Sequence, residues 1–196
     1  PYRKTITGLV YPINLSKQTN LSAIDLLYSN NANKLSSKNP NVNMVFSHQL
    51  SKIVLNIKSL SPKLDLSGLA VKITNMGTTA SFSLIDGTLS EPLSKGDIFL
   101  RVNATGTFAE AILLPTPDLK DKKLIFMAGN TWFTYDLSAS STITSFVKST
   151  KYTYSITLNP EVESAKAEGS IEDWTEGAKD EATIGQDPYD GKGSRE

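Results

Sequence analysis

The stretch VNMVFSHQLSKIVLNIKS, residues 42–59, is the longest run of the chain in which apolar side chains keep a strict strand period. Alternate positions of residues 42–50 share one side, and alternate positions of residues 53–57 share a side in the opposite phase. In a regular strand, this one-residue change of phase would turn half of these side chains away from a core. The pattern therefore predicts one long, bent strand with a β-bulge near Ser51–Lys52, around which the other strands gather.

Shorter segments with strand character recur along the rest of the chain at intervals of roughly 8–14 residues. They are residues 5–11, 69–73, 80–85, 88–93, 97–103, 107–114, 124–128, 132–135 and 151–158. Pro12 is expected to end the first of them, and Asp86-Gly87 predicts a hairpin between 80–85 and 88–93. Helical spacing occurs only in residues 20–29. Strands without alternating helices predict an all-β, antiparallel β-sandwich of about seven to nine strands with one short helix near the N-terminus.

Charge is balanced over the whole chain but not along it. Lys plus Arg and Asp plus Glu number 20 each, so no net field favours nucleic acid or an anionic membrane. Residues 161–196 contain eleven acids and four bases, whereas residues 1–160 contain nine acids and sixteen bases. We therefore expect an acidic tail that is either solvated or held against its own basic body or a neighbour's. The start at Pro1 is interpreted as that of a processed or excised chain.

Sequence motifs for catalysis, metal binding or cofactor binding are not found. The chain has no cysteine, which excludes disulfides and thiolate sites. The single histidine, His48, is expected on the apolar face of the long strand, hydrogen-bonded within the core, and no second histidine exists to complete a zinc site. There is no GxSxG nucleophile elbow and no glycine-rich phosphate loop. The prediction is a protein that is not an enzyme and that needs no cofactor or metal.

Three segments in order resemble the fimbrillin (Mfa-like) family of Bacteroidetes surface proteins. They are FSHQLSKIVLNIK (46–58), the aromatic strand KYTYSITLN (151–159) and the terminal SIEDWTEG (170–177). The resemblance covers about residues 25–177 and implies a transthyretin-like sandwich that serves as a type V pilus subunit or a related surface protein. It also implies export as a lipoprotein to the outer membrane or fimbrium of a Gram-negative cell, with any lipid anchor upstream of this chain.

The resemblance also divides the chain into three parts. Residues 1–29 correspond to the remnant of a preceding β domain and its linker, residues 30–177 to the β-sandwich, and residues 178–196 to the acidic tail. In polymerising members, proteolysis removes a strand from the N-terminal domain, and the exposed groove accepts a strand from the next subunit. The expected partners are therefore other fimbrial subunits, self or paralogous, together with host or bacterial surface glycans or proteins.

Two sets of residues are candidates for these roles. Residues 163–177 are expected to supply an edge or exchangeable strand, with Ile171 and Trp174 as its only large apolar anchors. The alternative function is that of a carbohydrate-binding module of an exported protein, in which Trp132, Phe133 and Tyr135 would supply a glycan platform. Since these three side chains alternate, at most Trp132 or the Phe133/Tyr135 pair can face outward.

Overall fold

A computed structural model describes residues 9–31, 43–163, 170–173 and 181–186, and it shows two packed β-sheets. The elements in chain order are β1 (Val10–Asn14), α1 (Leu21–Ile24), β2 (Leu27–Tyr28), β3 (Ser47–His48), β4 (Ser51–Ser59), β5 (Ala70–Ser83), β6 (Ser94–Phe99), β7 (Arg101–Val102), β8 (Phe108–Leu113), β9 (Lys123–Ala128), β10 (Thr131–Asp136), a 3-10 turn (Leu137–Ala139), β11 (Thr150–Glu163), β12 (Ser170–Asp173) and β13 (Glu181–Gln186). The all-β sandwich is confirmed. The described strands outnumber the prediction because β3 and β7 are separated from longer predicted strands and because β2, β12 and β13 are counted as short strands of their own.

The two sheets contain different numbers of strands. The first sheet contains β1, β5, β6, β9 and β10, and the second contains β4, β7, β8, β11, β12 and β13. The chain crosses between them at Leu100, which is buried and donates its N–H to the carbonyl of Val71. β2 and β3 form a separate two-stranded ribbon. Apart from the parallel ladders of β11 with β4 and with β13, the pairings are antiparallel.

The core lies between the sheets and follows the alternation of the strands. Ile53, Leu55 and Ile57 of β4 are buried, while Asn56 and Lys58 between and beyond them are exposed. β9 and β10 of the facing sheet and β11, the neighbour of β4, contribute equally regular sets of buried side chains: Leu124, Phe126, Ala128, Phe133, Tyr135, Tyr152, Tyr154, Ile156 and Leu158. Burying a large apolar side chain contributes about 1.5–3 kcal/mol, so this cluster is the main source of stability.

The long strand predicted over residues 42–59 is shorter and begins later. β4 starts at Ser51 and pairs with β8 and β11 in unbroken register, so the predicted bulge at Ser51–Lys52 is wrong. Met44 and Phe46 lie outside any strand and are exposed. The change of phase arises instead because two separate strands meet here. The N–H of Gln49 bonds to the carbonyl of Leu26, beside the pairing of β3 with β2, and the pairing of β4 begins only at Ser51.

An irregularity of the predicted kind occurs in β5. The two strands expected at residues 69–73 and 80–85 are one strand of 14 residues, and its register with β6 shifts between Ile73 and Met76. Asn75, with φ 56°, lies in the left-handed region between them. Asparagine tolerates this conformation better than most residues, so one extra residue is accommodated and both Ile73 and Met76 remain buried.

The hairpin predicted at Asp86-Gly87 is present, but its loop has four residues rather than two. Ser83 donates its N–H to Thr88 and accepts the N–H of Gly87, and Phe82 lies opposite Leu89. Hydrogen bonds from the Ser83 and Thr88 side chains lower the pKa of the exposed Asp86 carboxyl. Beyond this bridge, residues 88–93 form no regular strand.

The N-terminal segments also depart from the predicted pattern. Residues 20–29 contain only the four-residue helix α1, because the carbonyl of Leu26 and the strand β2 pair with the chain around Gln49. Asn20 precedes the helix, but its side chain accepts from the Ser22 hydroxyl and makes no capping bond. This segment is therefore held by its contacts with the sandwich rather than by helix propensity.

Candidate functional site

The outer edge of β11 is completed by segments from the C-terminal part of the chain. One side of β11 pairs with β4 over residues 151–158. The other side pairs with two separate short strands, antiparallel β12 opposite residues 150–153 and parallel β13 from residue 155 onward. β13 also approaches β10 of the first sheet. These two strands therefore cover the side of the sandwich where β11 would otherwise be an open edge.

The edge of the first sheet at β1 is protected in a different way. Leu84 donates its N–H to Leu9, and Leu15 donates to Thr78, so the odd-numbered residues of this strand bond to β5. The backbone groups of the even-numbered residues consequently point away from β5. Pro12 occupies one of these outward positions and has no N–H to offer. The expectation that Pro12 ends the strand is therefore wrong: β1 continues to Asn14, and Pro12 weakens its outer edge as a template for strand addition.

The edge of β8 beyond the end of β7 is closed by the side chain of Gln18. Its Nε2 donates to the carbonyls of Ile112, at 3.1 Å, and Leu15, at 2.7 Å, and its Oε1 accepts the N–H of Ile112 at 2.9 Å. Gln18 is 5% exposed and so replaces a neighbouring strand for one residue. Sequence reasoning did not find this residue, because a single glutamine in an irregular segment gives no periodic signal.

The predicted exchangeable segment lies partly at the β11 edge. The backbone of Ile171, in β12, is paired opposite Tyr152. Trp174 lies outside the described residues. The structure adds β13, which falls within the range assigned to the acidic tail. That strand has no clear sequence signal because its alternation of Ala182 and Ile184 is too short to distinguish from a polar loop.

The three aromatic residues predicted as a glycan platform do not lie on one surface. Phe133 and Tyr135 are buried in the core, where the ring of Tyr135 packs edge-on against Tyr154 with centroids 6.1 Å apart. Trp132 is on the opposite face of β10 and is 36% exposed. The Phe133/Tyr135 pair is therefore inaccessible to a glycan, and the platform reduces to a single tryptophan.

His48 is not in the core as predicted. Its side chain is 31% exposed, and its Nδ1 lies 2.9 Å from the carboxylate of Asp25. The contact joins β3 to the segment after α1. His48 therefore has a structural role, but outside the core. Within the described ranges, no three His, Cys, Asp or Glu side chains are grouped as metal ligands, and no helix is both long and apolar enough to cross a membrane.

Comparisons with known proteins agree with this architecture. Residues 1–174 match the family model described as fimbrillin-like. The chain is 31% identical over 188 residues to a Bacteroides uniformis protein named "Putative fimbrium subunit Fim1C", and the match covers 90% of this chain and 60% of that protein. The chain thus spans about 60% of the length of this curated relative.

Two solved structures are similar to the sandwich. A crystal structure titled as a putative cell adhesion protein from Bacteroides uniformis has 31% identity and a TM-score of 0.77, with 89% of this chain and 70% of that chain covered. Another of the same title from Bacteroides ovatus has 22% identity and a TM-score of 0.60, with coverages of 80% and 59%, and supports the fold alone. Since the family model spans most of the sequence and the Bacteroides uniformis relatives agree with it, this chain belongs to the fimbrillin-like family.

Proposed function

We propose that this chain is a structural or adhesive subunit of a bacterial fimbria that joins other subunits by β-strand exchange at the outer edge of β11. Family membership supports the fimbrial role. The proposal of strand exchange is supported by a difference between the exposed edges of the strands. β1 and β8 are protected by Pro12 and Gln18, whereas β11, in the part of the chain that the structure describes, is covered by the short strands β12 and β13.

The exchange rests on β-augmentation. The outer edge of β11 offers a row of backbone donors and acceptors that any strand of suitable length can satisfy. β12 has four residues and β13 has six, so each is held by few ladder bonds. Burying both Ile171 and Trp174 would add roughly 4–5 kcal/mol at most. A neighbouring copy's C-terminal segment can replace these strands without a change in the number of bonds.

The proposal includes the setting of the protein. The subunit acts at the cell surface, attached to the outer membrane or fimbrium through a lipid anchor outside this chain. Its partners are other fimbrial subunits, self or paralogous, and neither nucleic acid nor catalysis is involved. The alternative of a glycan platform on β10 loses its main support, because Phe133 and Tyr135 are buried.

Two shortened chains test the exchange. A chain that ends at Glu163 keeps all of β11 but lacks β12 and β13, whereas a control that ends at Gln186 keeps both strands. The first is expected to melt at a lower temperature and to form no filaments. A synthetic peptide of residues 164–186 should bind it and restore the melting temperature. The proposal fails if the chain ending at Glu163 melts and assembles like the control.

A further inference from the structure

A groove of about 710 Å³ lies between three segments that join the strands. One wall is formed by residues 87–95, another by residues 115–118 with Lys122, and the third by residues 145–148. Among the residues that the structure describes in its lining, none belongs to β11, β12 or β13. It is therefore separate from the proposed exchange edge, and its volume is in the range of sites for small organic ligands.

The walls of the groove are fixed by contacts within the fold. Thr116 and Phe146 exchange two backbone hydrogen bonds of 2.7 and 2.9 Å. The carbonyl of Val147 accepts from the Ser51 hydroxyl, and its N–H donates to the Tyr152 hydroxyl, each at 2.8 Å. Because these segments are tied to the core, a ligand would meet a preformed surface and little ordering would be needed.

The wall at residues 87–95 depends on one close approach. A Cβ built on Gly77 would lie 2.9 Å from both the ring of Pro92 and the side chain of Leu114. Glycine at this position therefore lets the Pro92 segment pack directly on β5. Pro92 and Pro115, both partly exposed, supply apolar surface to the groove, whereas Phe146 in its lining is buried.

Three lysines and two acids line this apolar surface. Lys122 lies 4.0 Å from Asp118, whereas Lys95, Lys148 and Glu91 are exposed and form no ion pair within the described part of the chain. The lining also includes neutral polar side chains, among them Asn75 and Ser145. Ammonium groups bind carboxylates, neutral amides and hydroxyls bind ligand hydroxyls, and proline and aromatic surfaces pack against the apolar face of a sugar ring.

We propose that this groove binds an oligosaccharide whose sugars carry carboxylates, with Lys95 and Lys148 contacting the carboxylates and Pro92 and Pro115 contacting the rings. The groove offers side-chain contacts of three kinds in one place, which suits a hydroxyl-rich acidic sugar better than an acidic peptide. This function is additional to strand exchange. It can be measured on the monomer, and so its failure and that of the exchange are distinguishable.

Calorimetric titration of the full chain with sugar acids tests the proposal. The probes are trigalacturonate, a hyaluronan tetrasaccharide and sialyllactose, and the methyl ester of trigalacturonate is the uncharged control. At least one acidic probe should bind, with an affinity that falls as salt is added. If that probe is trigalacturonate, its methyl ester should bind about tenfold more weakly or not at all.

Matched variants locate the site. Lys95→Gln with Lys148→Gln should weaken binding about tenfold or more, whereas Lys58→Gln with Lys63→Gln, two exposed lysines outside the groove, should leave it unchanged. Equal melting temperatures would show that both double variants fold. Amide shifts of Ser145 and Val147 on titration provide a second readout.

Three results would overturn the inference. The first is the absence of binding to all three acidic probes. The second is equal binding of the bound sugar acid by the two double variants. The third is binding of a hexaglutamate peptide with the same lysine dependence while no saccharide binds, which would assign the groove to acidic peptides.

Discussion

Gly106 and Gly68 have the same backbone conformation for different reasons. Their φ angles are 69° and 74°, in the region that side chains disfavour. A Cβ on Gly106 would lie 1.9 Å from the carbonyl oxygen of Leu66, whereas a Cβ on Gly68 would meet nothing within 4 Å. Gly106 is required for close packing of two backbone segments, and Gly68 is required only by its own turn.

Alanine substitutions separate these two requirements. Gly68→Ala should lower the free energy of unfolding by about 1–2 kcal/mol, the cost of the left-handed conformation. Gly106→Ala should cost about 4 kcal/mol or more, because the Leu66 backbone must also move. Urea unfolding of both variants measures the difference, and equal losses would contradict the contact with Leu66.

The amide of Gln18 gives a second prediction. Gln18→Ala should destabilise the fold by about 1–3 kcal/mol, because the N–H and carbonyl of Ile112 lose their buried partners. Gln18→Glu keeps an acceptor for the Ile112 N–H but removes the donor. Hydrogen exchange at the Ile112 amide should therefore accelerate in both variants, because the glutamate carboxylate would face the carbonyls of Leu15 and Ile112. Unchanged exchange in both would show that Gln18 does not close this edge.

Single residues were predictable where the signal is local. The turn at Gly87 follows from the Asp-Gly pair, and this glycine has a positive φ. The alternation around His48 predicts a long core strand, but His48 lies in the two-residue strand β3, and its partner Asp25 is 23 positions away. Gln18 acts on Ile112, 94 positions away, and no local pattern indicates such a contact.

Strands were predictable as segments but not as ladders. β8, β9, β10 and the first part of β11 lie where alternation places them. β5 was divided in two because Asn75 interrupts its alternation, and a phase change in sequence does not distinguish a bulge from a break. In residues 42–59 the same change of phase marks a break between two strands. Which of the two occurs depends on neighbouring strands that lie far away in the sequence.

The edge at β1 can be tested as an element. Pro12→Thr would add an N–H at an outward-facing position of the strand and leave its bonds to β5 intact. We expect increased self-association with little change in melting temperature, detected by light scattering and size-exclusion chromatography. Val10→Thr, at another outward-facing position that already has an N–H, is the control. If Pro12→Thr stays as monodisperse as Val10→Thr, the proline does not protect this edge.

The molecule as a whole was predictable in class but not in topology. Recurrent alternation, few helical segments and turn residues between strands sufficed for an all-β sandwich. The crossing at Leu100 and the parallel pairing of β4 with β11 could not be predicted, because both depend on contacts between distant parts of the chain. The pairing of β13 with β11 was missed for the same reason.

The charge distribution of the molecule leads to a prediction about assembly. Nine of the eleven acids after residue 160 follow β11, in the C-terminal segment proposed to move between copies, and residues 1–160 are basic. Attraction between opposite charges accelerates encounter and is screened by salt. The rate of filament growth should therefore fall when the salt concentration rises from about 50 mM to about 500 mM, as followed by light scattering. A growth rate that does not change with salt would rule out steering by the acidic segment.

The parallel ladder between β4 and β11 also determines how fast the chain can fold. Lys52 lies opposite Lys151, 99 positions later, so this pairing forms only after a very long loop has closed. A nascent chain that ends at Ser149 can pair β4 only with β8. Domains dominated by such distant pairings fold in about milliseconds to seconds, much more slowly than helical bundles. The centre of the second sheet is therefore completed late. A chain that is still being synthesised or exported cannot complete this sheet until β11 is available to pair.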